Sequence, residues 1–140
     1  MNILLSLIMI FSFSAPETDL INEINKQRAA YGVRELVMNH EASRLARYRS
    51  EEMVALEFFG HSSRIYGEPD EMLLRFGVPF ASLGINIAMG QENASEVLNA
   101  WLSSAPHREN LLNENFTSVG VGLAFDEDIP YWTLILISSA

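Results

Sequence analysis

Two histidines of this 140-residue chain stand beside turns and glycines, and imidazole is the side chain best suited to acid–base and metal chemistry near neutral pH. His61 directly follows Phe58-Phe59-Gly60, where a helical pattern breaks. His107 follows Pro106, at which the preceding helix is expected to stop, and it precedes the glycine-alternating run Val119-Gly-Val-Gly122. A helix that stops there leaves backbone amides unpaired, so the sequence predicts an open turn at His107 that can bind a ligand.

Metal binding and acid–base catalysis are the two chemistries that such a pair suggests. Two neutral imidazoles can bind zinc or another divalent metal, but a catalytic zinc takes three protein ligands and a water, so His61 and His107 alone would hold it weakly. Glu57, Glu68 and Glu109 are candidates for the missing carboxylate. Without a partner that orients or protonates, an acid–base residue loses about 10²- to 10⁴-fold in rate. The absence of a Gly-x-Ser-x-Gly turn disfavours a serine nucleophile.

Composition narrows the possible functions. With 49% hydrophobic and 19% charged residues, the chain has the profile of one globular domain. A net charge of -9 disfavours nucleic acid as a partner and gives little attraction to an anionic membrane surface. Since there is no cysteine, disulfides, thiolate metal sites and a cysteine nucleophile are excluded.

The first residues form an apolar run, Met1 to Phe11, that is too short to span a bilayer and has the length of a signal-peptide core. Ser12 and Ser14 are small enough for a cleavage site after Ser14. Residues 1–14 are therefore interpreted as a signal peptide, which predicts an extracellular or cell-surface location and a mature domain without a transmembrane anchor. The alternative is an apolar first strand or helix that packs on the domain.

The remaining chain is predicted to be one continuous domain, residues 17–140, with helices first and strands last. Four helices are expected: about 17–31, from a cap at Asn39 to the break at 58–60, 69–76, and from a cap at Asn93 to the residue before Pro106. Residues 78–89 read as irregular or as a short strand. Strands are predicted at 119–125 and 131–137, joined by a hairpin, and the second is apolar on both faces and hence central. This order predicts an α+β domain with a small antiparallel sheet.

The order of short motifs along the chain resembles bacterial SCP-like extracellular domains of the CAP superfamily, which comprises cysteine-rich secretory proteins, antigen 5 and pathogenesis-related proteins. No single motif is decisive, but many in the same order are specific. The resemblance covers roughly residues 20–137 and implies a three-layer α-β-α sandwich with a cleft over the sheet. The matching residues are Asn25, Arg28, Gly32, Leu45-Ala46, Phe59-Gly60-His61, Tyr66-Gly67, Phe76-Gly77, Gly84, Asn86-Ile87-Ala88, Trp101, Ser104, His107-Arg108, Asn110, Phe116-Thr117, Val119-Gly-Val-Gly122 and Tyr131-Trp132-Thr133.

The resemblance also implies which residues face the cleft. His61 corresponds to one of the two cleft histidines of the family, whereas the second histidine of eukaryotic members falls on Tyr131. His107 enters through the bacterial Ser-x-x-His-Arg pattern that starts at Ser104, and Asn86 through the pattern Gly-Glu-Asn-Ile-Ala.

Three polar groups of the family are missing from this chain. The family's cleft glutamate is replaced by Ile85, and a second carboxylate of eukaryotic relatives falls near Ser104. Leu134 stands where the family commonly has Gln. Loss of the carboxylate makes the cleft more apolar and disfavours catalysis.

These observations favour a secreted, non-catalytic binding module. Its predicted cleft residues are His61, Ile85, Asn86, Ser104, His107 and Tyr131. The expected ligand is a small apolar or lipid-like molecule or a peptide. The alternatives are a divergent metal-dependent hydrolase or protease that uses His61 and His107, with zinc or another divalent metal, and a purely structural exported domain.

Overall fold

The computed structural model describes residues 14–139. The predicted signal peptide therefore lies outside the described residues except for Ser14. In chain order the elements are α1 (Ala15–Ala30), β1 (Val37–Met38), α2 (His40–Ala55), α3 (Pro69–Arg75), β2 (Leu83–Met89), α4 (Ala94–Leu102), α5 (Ala105–Leu112), β3 (Ser118–Asp126) and β4 (Ile129–Ile137). None of the described helices combines the length and the apolar character needed to cross a bilayer.

The four strands form one sheet in the order β1-β3-β4-β2. The predicted central position of the last strand is confirmed, because β4 pairs antiparallel with both β3 and β2. The prediction of an antiparallel sheet needs one correction: β1 pairs parallel with β3, so the sheet is mixed. Residues 83–89, within the segment expected to be irregular or a short strand, form the edge strand β2.

Helices cover both faces of this sheet, which confirms the predicted α-β-α sandwich. On one face, residues of α1, α4 and α5 share a core with β3 and β4; its largest buried members include Leu20, Trp101, Leu111 and Trp132. On the other face, α2 and α3 pack on β4. The alternation of side chains along β3 and β4 produces the two cores, since successive residues of a strand point to opposite faces.

Two glycines let α2 approach the sheet closely. A Cβ added at Gly120 would overlap the backbone of Ala42 and Ser43, and one added at Gly122 would overlap the backbone of Ala46 and Arg47. The glycine-alternating run of the sequence therefore serves helix–sheet contact. It sets the distance between the sheet and α2, the helix that precedes the segment carrying His61.

The start of α1 is fixed to the sheet by a buried carboxylate. Ser14 and Glu17 form a capping box, in which the Ser14 N–H donates to Glu17 Oε1 at 2.8 Å. The Glu17 side chain also accepts from Arg47 Nη2 at 2.6 Å and from the Leu123 backbone N–H at 3.0 Å. Ser14 therefore belongs to the folded domain.

Candidate functional site

A cleft lies at the edge of the sheet, where the segment after α2, the start of α3, strand β2 and helix α5 meet. Its volume is about 420 Å³, within the range typical of small-ligand sites. The residues that line it are His61, Glu68, Pro69, Asp70, Leu83, Gly84, Ile85 and Asn110. Strand β2 forms its floor, because Leu83, Gly84 and Ile85 are consecutive residues of that strand.

The segment that carries His61 is held by a buried ion pair. Arg49 donates to Glu52 at 2.7 Å and also to the carbonyl of Gly60, the residue before His61. Glu52 accepts in addition from the Ser63 hydroxyl at 2.6 Å and from the Arg64 backbone N–H at 3.1 Å. This pair is not predictable from the sequence, because its i, i+3 spacing on a helix face is typical of ordinary surface ion pairs. The Glu52 carboxylate is thus occupied in fixing the segment.

His107 lies on helix α5, and here the sequence prediction was wrong. Pro106 does not end a helix but stands in the first turn of α5, where its missing N–H costs nothing and its fixed φ favours the helix. The preceding helix α4 already ends at Leu102. The predicted open turn at His107 is therefore a helical turn. Ser104 is the N-cap residue of α5, although its side chain makes no capping hydrogen bond.

Two asparagines attach α5 to the edge strand. Asn86 is fully buried and donates from Nδ2 to the His107 carbonyl at 3.1 Å. Asn110 donates from Nδ2 to Asn86 Oδ1 at 2.9 Å and to the Ile85 carbonyl at 3.4 Å. Asn86 thus positions His107 through the backbone, whereas Asn110 itself lines the cleft.

The other end of α5 is held by a buried arginine. Arg28 of α1 is fully buried and donates from Nη1 to the carbonyls of Leu111 at 2.7 Å and Asn113 at 3.1 Å. It also donates to the carbonyls of Arg34 and Phe116. A cation at the C-terminal end of a helix also interacts favourably with the helix dipole. Arg28 therefore fixes the orientation in which α5 presents His107 and Asn110.

The two imidazoles lie close together. The ring centroids of His61 and His107 are 6.3 Å apart, with 31° between the ring planes. Desolvation by the surrounding protein, followed by the charge of Arg49, lowers the pKa of His61 below its ordinary value. Desolvation, followed by the proximity of His61, lowers the pKa of His107. Both rings are therefore neutral at pH 7 and can donate and accept hydrogen bonds.

The geometry does not fit a catalytic zinc centre. No group of three His, Asp, Glu or Cys side chains among residues 14–139 is placed to hold a metal ion. Two imidazoles on one tetrahedral zinc would have ring centroids about 5 Å apart, given Zn–N distances of about 2.0 Å. The observed 6.3 Å is wider. His61 and His107 would hold such an ion by two ligands at most.

The remaining predicted site residues occupy different surroundings. Ile85, which replaces the glutamate of the family pattern, is half-buried on the cleft floor. Tyr131 pairs with Met89 at the far end of β2 and packs in an apolar cluster with Met53 and Ile87. Of the three candidate carboxylates, Glu68 lines the cleft, whereas Glu109 lines a separate groove on α5.

Comparison with known sequences identifies similar proteins in bacteria. Residues 21–136 match the sequence model of CAP, the cysteine-rich secretory protein family. YkwD of Bacillus subtilis (strain 168) is 38% identical over 122 residues, which span 87% of this chain and 47% of YkwD. The membrane protein YlbC of the same organism is 31% identical over 117 residues, 84% of this chain and 33% of YlbC. The chain thus spans less than half the length of each of these two relatives.

Comparison with solved structures gives the same fold. An extracellular protein containing an SCP domain, from Bacillus anthracis str. Ames, matches with a TM-score of 0.82 and 30% identity over 89% of this chain and 40% of that chain. An outer surface protein from Borrelia burgdorferi matches with a TM-score of 0.80 and 20% identity over 88% of this chain and 92% of that chain. At 20% identity the second likeness bears on the fold alone.

Proposed function

We propose that this chain, which belongs to the CAP family of cysteine-rich secretory proteins, is a non-catalytic binding module whose ligand occupies the cleft between His61 and α5. The observation that carries the proposal is the combination of two close, neutral imidazoles with an apolar residue, Ile85, on the cleft floor. Imidazoles supply directional hydrogen bonds, and the apolar floor supplies buried area. This combination is typical of ligand sites.

The absence of a partner for the imidazoles supports binding over catalysis. Within residues 14–139, neither the His61 ring nor the His107 ring is held by a carboxylate that would set its tautomer. The one buried carboxylate near the cleft, Glu52, already accepts from Arg49, Ser63 and Arg64. A general base normally needs such an orienting partner to be effective.

The shape of the cleft favours a short peptide segment over a buried acyl chain. The cleft is open along the edge of the sheet, and polar side chains alternate with Pro69, Leu83 and Ile85 on its wall. An acyl chain gains most from an enclosed apolar cavity, since the gain scales with the apolar area removed from water. A peptide places apolar and hydrogen-bonding groups side by side, as the cleft does.

Nuclear magnetic resonance tests this proposal with a pool of short peptides of random sequence. The domain labelled with ¹⁵N is titrated with the pool, and the peptides are recovered and analysed by mass spectrometry. We expect shifts at His61, Ile85, His107 and Asn110, and recovered peptides that are intact. Shifts confined to other surfaces would overturn the binding site, and new peptide fragments would overturn the non-catalytic role. An Ile85→Ser variant, which reduces the apolar floor, is expected to bind the pool more weakly.

The alternative, a metal-dependent hydrolase or protease, needs a third ligand for His61 and His107. Glu68 is the only one of the three candidate carboxylates that lines the cleft in the described part of the chain. Glu68 is the N-cap residue of α3, and its backbone N–H donates to Glu71 Oε1 at 3.3 Å. Even so, residues 14–139 contain no group of three side chains placed to hold a metal ion, so no observation favours this alternative.

Export of the domain is a further part of the proposal. The apolar segment 1–14 has the length of a signal-peptide core, and a solved structural neighbour from Bacillus anthracis is described as extracellular. Cleavage after Ser14 would remove the N-cap of α1, which lowers stability by about 1 kcal/mol. Mass spectrometry of the protein recovered from the culture medium tests both points: we expect a shortened N-terminus that retains Ser14. Full-length protein confined to cells would contradict export.

A further inference from the structure

We propose that the cleft selects ligands by a cationic group, such as the side chain of lysine or arginine in a peptide. This inference rests on the proposed binding function and adds the chemical class of the ligand. It follows from two features of the cleft. The polar groups that face it are mainly hydrogen-bond acceptors, and apolar side chains lie beside them.

The amide of Asn110 presents its oxygen to the cleft. Its nitrogen is committed to Asn86 Oδ1 and to the Ile85 carbonyl. Its Oδ1 faces Gly84, where an added Cβ would lie 3.1 Å from it. Within residues 14–139 this oxygen accepts no hydrogen bond and is not fully enclosed, so it can accept one from a ligand.

Two carboxylates stand on the opposite wall. Glu68 and Asp70 both line the cleft, and both side chains are exposed. None of the eight lining residues is Lys or Arg. Arg49, whose charge contributes to the lowered pKa of His61, is buried and paired with Glu52 at 2.7 Å. The field in the cleft therefore favours a positive ligand, in keeping with the net charge of -9.

The imidazoles do not oppose a cation. Because desolvation lowers the pKa of both His61 and His107, the neutral form of each ring predominates at pH 7. A neutral imidazole offers one lone pair to a donor. Two carboxylates, the Asn110 amide oxygen and the lone pair of the His61 imidazole line the cleft as acceptors that match an ammonium or guanidinium group, and the His107 ring lies beside His61.

The apolar lining fits the stem of such a side chain. Pro69, Leu83 and Ile85 line the cleft between the carboxylates and the asparagine. Lysine and arginine bury their methylene groups along apolar surface while the charged end remains near polar groups. An anionic ligand would instead meet Glu68 and Asp70, which disfavours free fatty acids and other lipid-like anions.

The test compares capped tripeptides Gly-X-Gly in which X is lysine, arginine, norleucine or glutamate. Norleucine keeps the apolar stem and lacks the ammonium group. Dissociation constants for the full chain are obtained from the shifts of the His61, Ile85 and Asn110 amides at pH 7. We expect the lysine and arginine peptides to bind about fivefold more tightly than the norleucine peptide, and the glutamate peptide to bind most weakly. Higher salt should weaken lysine binding and leave norleucine binding unchanged.

Variants test whether the carboxylates of Glu68 and Asp70 cause the selectivity. Asp70→Asn is expected to reduce the preference for lysine over norleucine by about two- to fivefold. Glu68→Gln should act in the same direction, but Glu68 is also the N-cap residue of α3, so Asp70→Asn is the cleaner variant. The matched control is Glu109→Gln, which removes a carboxylate from the other groove of α5 and should leave the preference unchanged.

The outcomes separate this inference from the proposed function. Equal binding of lysine and norleucine peptides in the cleft, or tighter binding of the glutamate peptide, overturns the cationic selectivity and leaves the binding function intact. A lysine preference that persists in the double variant Asp70→Asn, Glu68→Gln overturns the role of these two carboxylates. If none of the four peptides shifts the NMR signal of a cleft residue, the inference is overturned as well. The titration with the random peptide pool then tests the proposed function independently.

Discussion

At the scale of single residues, the chemistry of the cleft depends on what stands beside the two imidazoles. His61 and His107 lie 6.3 Å apart, yet the floor between α3 and α5 is formed by Ile85 and not by a carboxylate. A carboxylate there would orient a ring or complete a metal site, whereas isoleucine adds only apolar surface. The pair is therefore suited to hydrogen bonding with a ligand.

The proximity of the two rings predicts a coupled titration. Because His61 contributes to the lowered pKa of His107, the substitution His61→Asn is expected to raise the pKa of His107 toward its ordinary value. The pKa is measured from the imidazole ¹H and ¹⁵N shifts between pH 4 and 8. His40→Asn, at the start of α2, is the control and should leave His107 unchanged. An unchanged pKa in His61→Asn would contradict the observed ring contact.

The same pKa directions predict how stability varies with pH. Since folding lowers the pKa of both histidines, the unfolded chain binds more protons than the folded chain once the pH falls below about 6.5. The free energy of unfolding should therefore decrease as the pH falls through this value, and level off where the folded rings are protonated. Urea denaturation at pH 7.5 and 5.5 should show a smaller decrease in the variant His61→Asn, His107→Asn. An equal decrease in both proteins would exclude the histidines as its cause.

At the scale of elements, helix α5 depends on a single buried arginine. Arg28 donates to four backbone carbonyls, two of them at the C-terminal end of α5. The substitution Arg28→Met is expected to lower the free energy of unfolding by about 3 kcal/mol or more, because hydrogen bonds to charged groups contribute about 1.5–3 kcal/mol each. Chemical denaturation measures this change. Arg44→Met, which removes an exposed contact with Glu41, should change stability by less than about 0.5 kcal/mol.

The contact between α2 and β3 predicts a second large effect. Gly122→Ala would place a methyl group in the backbone of Ala46 and Arg47, which cannot move away as a flexible side chain would. We expect a loss of about 3 kcal/mol or more, at the upper end of the range for overpacked cores. In the control Gly60→Ala, the added carbon lies 3.7 Å from the Phe58 ring, an ordinary contact, and the loss should be much smaller. Similar melting temperatures for the two variants would contradict this packing.

Pro106, at which a helix was predicted to end, shows why part of the site could not be predicted. A proline after a helical stretch fits both the end of one helix and the first turn of the next, and only tertiary packing distinguishes them. Reading it as an end hid helix α5. On a helix, His107 and Asn110 are three residues apart and share a face, which would have placed Asn110 in the cleft. His61 and Ile85 were predicted from local motifs and line the cleft.

At the scale of the whole molecule, the sandwich was predictable because its signals are long and periodic. The helical stripes of α1 and α2 and the apolar run of β4 extend over many residues. The four helices that were predicted, α1 to α4, begin within two residues of their expected starts. Strand β1 has two residues and pairs with a segment about 80 positions away, so no local pattern indicates it. The order of the strands, which makes β2 an edge and opens the cleft there, likewise depends on distant contacts.

The central claim, that Ile85 stands where a carboxylate would complete a metal site with the two imidazoles, is tested by zinc titration calorimetry on the wild type and on Ile85→Glu. We predict that the wild type binds zinc no more tightly than about 1 µM. Ile85→Glu adds a carboxylate beside His61 and should bind at least about tenfold more tightly. Wild-type binding tighter than about 1 µM that disappears in the variant His61→Ala, His107→Ala would contradict the account.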